Sequence, residues 1–454
     1  MRPMRLGRML LLRPASLRLS APCCRLNPVK LKLLFRIGSA GFASLMQAAT
    51  LLLVARFAGP EDFGAFGQLI SIGYVAGGIL GMGMSARALR LASVDAWRPV
   101  ATTMMLLRVM TSLGVSGLLI AFALLVGDDV ALATAASLFI IGELVGELIQ
   151  GILAGRNRQY FASFILLLHR ILVLTPVALH LVWQTEIWLH LMVGAALGLV
   201  LLFSIAAASG ARPSSPLELL RSSLGFWFAS TVTSAGQLDI SFVRLAVGDV
   251  ATGLYSAGSR IGTPLNVVTN AVLNVYVPAM SAQRDEGERL RTFRRLRTLS
   301  LAYSTLLVIA SPGVGFALVA ILGEDYSSGW PLYVTVTCGA ALSGVSQSYK
   351  SLCYAEDRPF AAGRSILLGT LIGLVWILVG GAVFGFPAIV LAPLVMQGAI
   401  LLAFLVDRAR NRAWAGRQYF VDADSDSDHD LTAAEPPERQ AQERADKAVN
   451  SSAD

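Results

Sequence analysis

Five arginines stand apart in this chain. Arg56, Arg108, Arg170, Arg244 and Arg260 lie inside long apolar stretches, away from the other basic residues. A charge within a hydrocarbon layer costs about 2.5–3.5 kcal/mol on insertion scales, so it faces protein or water. A guanidinium grips carboxylate or phosphate through two parallel hydrogen bonds. Acids in the same stretches are fewer. Glu143 and Glu147 sit one turn apart, with Gln150 continuing their face, and Asp239 stands alone. Two arrangements fit these residues. Glu143 or Glu147 could pair with Arg108 or Arg170 as structural ties between helices, or the surplus arginines could hold an anionic ligand. Two polar stripes favour a wet path. Ser230, Ser234, Gln237, Ser241 and Arg244 share one helical face, and Ser259, Thr263, Asn266 and Asn270 share another. Asp239 falls about 200° round the helix from Gln237. Neighbouring striped helices predict a cavity, since lipid-facing surface carries no such stripe. The candidate cavity residues are therefore Arg108, Arg170, Gln237, Arg244, Arg260, Asn266 and Asn270. Asp239, Glu143 and Glu147 are candidates for coupling to H⁺ or Na⁺.

The elements that must position these side chains follow from composition. The 454 residues are 55% hydrophobic and only 15% charged, against about 25% charged in soluble domains. A bilayer core of about 30 Å takes about 20 apolar residues per helix. That length finds twelve spans, at 34–55, 64–86, 99–127, 130–154, 160–183, 187–209, 224–246, 251–277, 298–322, 331–354, 361–384 and 387–406. The expected fold is an all-α polytopic membrane protein. Of the 37 Lys and Arg residues, 32 fall on one side if the spans alternate, and Asp128, Asp129, Glu186, Asp249, Glu324 and Asp325 fall on the other. Basic loops stay in the cytoplasm. The even count therefore places both termini there, and the net charge of +8 reflects topology and not a nucleic-acid partner.

An internal echo divides the twelve spans. Gly59, Gly64 and Phe66 follow the first span, and Gly248, Gly253 and Tyr255 follow the seventh with the same internal spacing. Arg56 and Arg244 precede the two turns. Six spans separate them, the arithmetic of a parallel repeat of two six-helix lobes. The expected organisation is a basic cytoplasmic extension at 1–33, an N-terminal lobe at 34–209, a cytoplasmic linker at 210–223, a C-terminal lobe at 224–406 and a cytoplasmic, acidic disordered tail at 407–454. Gly77 with Gly81, Gly142 with Gly146, and Gly151 with Gly155 are spaced for close helix packing. Cys23, Cys24, Cys338 and Cys353 form no metal-binding spacing and read as free thiols. No cofactor is expected.

The segment from Arg56 through Gly59-Pro60-Glu61-Asp62-Phe63-Gly64 to Phe66 resembles the first-loop motif of polysaccharide flippases. So do Asp239 through Val247, Gly253-Leu254-Tyr255 through Arg260, Pro278-Ala279-Met280-Ser281, and Gly323-Glu324-Asp325-Tyr326 with Trp330. Over about residues 34–406 the chain is similar to the O-antigen and exopolysaccharide translocases of the multidrug/oligosaccharidyl-lipid/polysaccharide exporter superfamily. The resemblance implies a cationic cavity between two lobes and alternating access in the bacterial inner membrane. It implies an undecaprenyl-diphosphate-linked oligosaccharide as cargo, membrane lipid around it, and other polysaccharide-assembly proteins as partners. Peptidoglycan-precursor flippases of that superfamily use an arginine in span eight, the setting Arg260 matches; their fourteen-helix form is absent here. Three other readings are weaker. A cation-coupled drug exporter would carry more buried acid than buried arginine. A membrane enzyme would place carboxylates or histidines in a large outer loop, and a scaffold needs no polar-striped helices.

Overall fold

The computed structural model describes residues 28–427, apart from 89–96, 157, 208–213, 222–223, 282, 284 and 357. Among the described residues there is no strand. The order is α1 (Pro28–Leu80), α2 (Met84–Ala88), α3 (Trp97–Val126), α4 (Val130–Gly155), α5 (Gln159–Trp183), α6 (Ile187–Ala207), α7 (Pro216–Arg221), α8 (Leu224–Ala235), α9 (Leu238–Val247), α10 (Asp249–Ser281) and α11 (Glu286–Leu322). A 3₁₀ turn (Glu324–Gly329) leads into α12 (Trp330–Ala355) and α13 (Pro359–Val375). A π turn (Trp376–Gly380) leads into α14 (Gly381–Phe384), and α15 (Phe386–Ser427) closes the order.

Eight of these helices are long and apolar enough to cross a membrane. One of them, α1, contains two spans broken at Gly59 (φ 81°, ψ 168°), followed by Pro60. Only glycine adopts that conformation without strain. The tandem α8–α9, together with α10 and α12, completes the twelve segments. Those three are short or rich in polar residues because they face protein rather than lipid. Exposed Met110, Leu125, Ile309 and Phe316 show the opposite pattern on α3 and α11. Side-chain caps fix two helix starts: Asp129 accepts from the Ala131 amide at 3.0 Å, and Asp285 from the Glu288 amide at 3.0 Å.

The seventh span departs from its expected continuous form. It is interrupted at Gly236–Gln237, where Gln237 N–H donates to the Ser234 carbonyl at 2.9 Å. Glycine makes the break cheap, and irregular backbone is tolerated at membrane depth where it lines a cavity. At the chain's far end, α15 continues to Ser427. The first part of the expected disordered tail is thus helical, because extending an existing helix costs far less than starting one. The tail beyond 427, the basic extension before Pro28, Cys23 and Cys24 lie outside the described residues. Cys338 and Cys353 are free thiols.

The hydrophobic core is divided unequally. At the end bearing Asp128, Glu186, Asp249 and Glu324, called outer from the charge pattern, one cluster spans both halves of the chain. It joins Phe63, Phe66 and Trp188 to Tyr255, Tyr326 and Tyr333. At the inner end there are two clusters. One holds Met84, Met104, Leu148 and Leu202; the other holds Met280, Phe293, Leu352 and Phe404. The halves therefore share a core at the outer end and keep separate cores at the inner end.

The glycine echo forms the outer seam. Gly248 (φ 95°, ψ −176°) repeats the backbone conformation of Gly59. A methyl group on Gly253 would lie 2.6 Å from the Pro60 carbonyl carbon, and one on Gly64 would lie 3.1 Å from the Asp249 carbonyl carbon. Pro60 and Asp249 follow the two kink glycines. Each repeat's glycine thus receives the first residue of the other repeat's second helix, a reciprocal contact across a pseudo-two-fold axis.

Candidate functional site

A cavity of about 410 Å³ lies between the two halves, deeper than the seam. Its wall includes Ser44 and Gln47 from the first half of α1, Tyr74 from the second half, and Glu143 and Glu147 from α4. The C-terminal half supplies Thr233, Ser234, Gln237 and Asp239 around the α8–α9 break, and Ser259, Arg260 and Thr263 from α10. Arg260 is seven residues beyond Gly253, about 10 Å along the helix axis.

The five membrane arginines have separate fates. Arg108 is 4% exposed. Its Nε donates to the Leu144 carbonyl at 2.9 Å, Nη1 to the Gly77 carbonyl at 2.9 Å and Nη2 to Glu147 Oε2 at 3.2 Å. The Gly77/Gly81 pair is the slot for this side chain: a methyl group at Gly81 would overlap the Arg108 guanidinium, and one at Gly77 would press on Leu144. Arg170 forms a two-pronged pair with Glu143, one arm to Oε1 and the other to Oε2 at 2.8 Å. Both side chains are nearly enclosed, at 11% and 9% exposure. Arg244 holds Asp128 with contacts of 2.9 and 3.1 Å, and also reaches Asp249 and Gln68. It lies in the outer seam and is not among the residues lining the cavity. Arg56 donates to the Ile321 carbonyl at 2.9 Å, and Tyr326 donates to the Ala55 carbonyl at 2.7 Å, adding two further ties across the halves.

Arg260 differs from these four. It lines the cavity, and no carboxylate among the described residues is hydrogen-bonded to it; its Nε and Nη2 are buried without a partner, as is the Nε of Arg170. The carboxylates that act on it electrostatically are Asp239 and Glu143. Glu143 is already committed to Arg170. Asp239 accepts from the Tyr255 hydroxyl at 2.9 Å and from the Ile240 amide at 2.7 Å. A guanidinium without a carboxylate partner, on the wall of a polar cavity, can bind an anion through charge-assisted hydrogen bonds.

Of the sequence candidates, Arg260, Gln237, Asp239, Glu143 and Glu147 meet around this cavity. Arg108 and Arg170 stand one layer behind, each engaged by one of those glutamates. Arg244 stays at the seam. Asn266 is half-buried further along α10, and the Asn270 side chain lies outside what the structure describes. The expected 200° separation of Asp239 from Gln237 does not hold, because the break turns both toward one space. Ser241 leaves the stripe to donate to Ser71 Oγ at 3.3 Å. Sequence reading missed Gln47 and Tyr74. Gln47 sits in an otherwise apolar run, a polar outlier that was the available signal; Tyr74 gives none. Among the described residues no group of His, Cys, Asp and Glu is arranged to hold a metal ion.

A family model described as polysaccharide biosynthesis protein matches residues 53–327. No curated protein matches the sequence. Solved structures share the fold at low identity. One is an inward-facing conformation of a multidrug resistance MATE family transporter of the MOP superfamily, at 14% identity over 84% of this chain and 98% of that one, with a TM-score of 0.65. Another is a MOP superfamily transporter from Pyrococcus furiosus, reported to have a binding pocket of reverse polarity. It is 17% identical over 84% of this chain and 95% of that one, with a TM-score of 0.59. A mutant of the Vibrio cholerae MATE transporter VcmN is 14% identical over 84% of this chain and 97% of that one, with a TM-score of 0.56. The fold is thus the twelve-span, two-lobe architecture of that superfamily.

Proposed function

Because the chain belongs to the family of polysaccharide biosynthesis proteins, we propose that it moves a lipid-linked oligosaccharide, carried on undecaprenyl diphosphate, across the bacterial inner membrane. The observation that carries this reading is the contrast among the arginines. Arg108, Arg170 and Arg244 are neutralised by carboxylates, whereas Arg260 lines the cavity between the lobes with no carboxylate among the described residues hydrogen-bonded to it. A diphosphate supplies the missing charge and accepts two parallel bonds. The uncharged polar wall of Gln47, Thr233, Ser234, Gln237, Ser259 and Thr263 offers hydrogen bonds to sugar hydroxyls, and the lipid tail stays in the bilayer between the lobes.

Alternating access fits the distribution of the core. The lobes share apolar contacts and ionic ties at the outer end; at the inner end their apolar clusters are separate, with Trp227 Nε1 donating to the Ile79 carbonyl across them at 2.7 Å. On this reading the shared outer core makes the described arrangement the outward-closed member of the cycle. Release outward requires the Gly64–Gly253 seam and the Arg244–Asp128 tie to part. Asp239, bound to Tyr255 and facing Arg260, is the carboxylate best placed to couple H⁺ or Na⁺ to that cycle. A drug exporter remains the second reading for this fold, and the unpaired arginine opposes a cationic cargo.

The test uses the host organism. Deleting the gene should abolish surface polysaccharide and accumulate undecaprenyl-diphosphate-linked oligosaccharide in the inner leaflet. Arg260→Ala should reproduce this at normal protein level, and Arg260→Lys should restore part of the export. Normal export by Arg260→Ala would sink the assignment.

A further inference from the structure

The central cavity does not end at the lobe boundary. A second space of about 290 Å³ enters the N-terminal lobe between the first half of α1, α4 and α5, and it shares Ser44, Glu143 and Glu147 with the first. A third, of about 120 Å³, reaches toward Arg108 and again includes Glu147. Glu147 therefore stands where all three meet, and its side chain is 63% exposed even while it holds Arg108.

Charge is segregated across this junction. On the α10 side the Arg260 guanidinium has no hydrogen-bonded carboxylate among the described residues. On the α4–α5 side both arginines hold carboxylates, Arg170 holding Glu143 and Arg108 holding Glu147, and the imidazole of His169 also lines the space. That branch has no net charge, yet it is rich in fixed hydrogen-bonding groups. The glutamates are held by their arginines and Gln150 adds an amide, while Ala43 and Leu166 supply small apolar patches. An anion entering the branch would meet two carboxylates and no unpaired cation. A neutral polyhydroxylated ring would meet acceptors already oriented by their ion pairs, which need no rearrangement on binding. It would also find apolar wall for its C–H faces.

From this segregation we infer that the substrate binds in one orientation, with its diphosphate against Arg260 on α10 and its first sugar residues in the N-lobe branch against Glu147 and Gln150. The inference rests on the lipid-linked oligosaccharide reading and adds a carbohydrate subsite to it. The N-lobe branch then selects the sugar, while the α10 side recognises the carrier common to all such lipids. Cargo specificity resides in α4 and α5, and exchange of those branch residues alters which glycan is accepted.

Two probes separate the parts. One is undecaprenyl diphosphate. The other is the undecaprenyl-diphosphate-linked oligosaccharide purified from a host strain lacking this protein. Binding to the full-length purified protein is measured for wild type, Gln150→Leu, Leu166→Trp and Arg260→Ala. Gln150→Leu should weaken the glycolipid about five-fold, the worth of about one net hydrogen bond. Leu166→Trp, which fills the branch, should weaken it further. Both variants should keep the wild-type affinity for the bare lipid, which also serves as their folding control. Equal loss for both probes, or no loss for the glycolipid, overturns the subsite. Failure of wild type to bind either probe, or undiminished binding of both by Arg260→Ala, overturns the underlying functional reading instead.

Discussion

Adding one methyl group at Gly253 tests whether the outer seam is the moving gate. Its Cβ would sit 2.6 Å from the Pro60 carbonyl carbon and 2.8 Å from Pro60 Cα. The Pro60 carbonyl oxygen lies closer still; since non-bonded atoms pack at about 3.5 Å, α10 must retreat from α1 by about 1–2 Å. No rotamer change relieves the clash, because the obstructing atoms are backbone. Overpacking of this size costs about 1–3 kcal/mol. The cost falls on the outer-closed arrangement alone if the seam parts in the other state. By population-shift arithmetic, Gly253→Ala then favours the outward-open state by about 5- to 150-fold. The reporter is Ser259→Cys, on the cavity wall next to Arg260. With the native cysteines replaced by serine, its reaction with a membrane-impermeant thiol reagent added outside should accelerate by a similar factor. Gly64→Ala, the reciprocal change, should act in the same direction. An unchanged rate with both variants, at normal folding, would refute the gate and leave the seam as static packing.

Three arginines give further tests. Arg170→Gln strands the Glu143 carboxylate among buried groups and should destabilise the protein by about 3–5 kcal/mol, seen as a large drop in detergent melting temperature. Glu143→Gln in the same chain should recover much of it. Arg260→Gln removes a buried charge that has no hydrogen-bond partner on Nε or Nη2. It should leave melting unchanged or raised while export fails, the stability–function trade-off of a binding site; a loss of stability like that of Arg170→Gln would contradict its role as an idle donor. Arg244→Ala removes the ties to Asp128 and Asp249 and should raise outside labelling of the same Ser259→Cys reporter. Unchanged labelling would show that the ties do not hold the outer end closed.

Apolar run lengths marked most of the spans, because the thickness of a bilayer sets helix length, while the polar or broken α8–α9, α10 and α12 fall short of that measure. The spacing of Gly59 and Gly64 against Gly248 and Gly253 announced a repeat, because a positive-φ kink and a close backbone approach both require glycine. Sequence also supplied the two competing fates of the arginines, ion pair or ligand site, since both follow from the cost of charge in hydrocarbon. It could not assign them. Arg108, Arg170, Arg244 and Arg260 are the same residue type in equally apolar runs, and only the neighbours brought by other helices distinguish them. Glu143 reaches Arg170 from another helix, Asp128 reaches Arg244 from the opposite lobe, and among the described residues no carboxylate is hydrogen-bonded to Arg260. The break at Gly236–Gln237 escaped periodicity for the same reason. A helical wheel assumes a continuous axis, and whether the axis continues depends on the cavity beside it. Sequence determined which residues lie within the membrane; tertiary packing decided which charge among them is left unsatisfied.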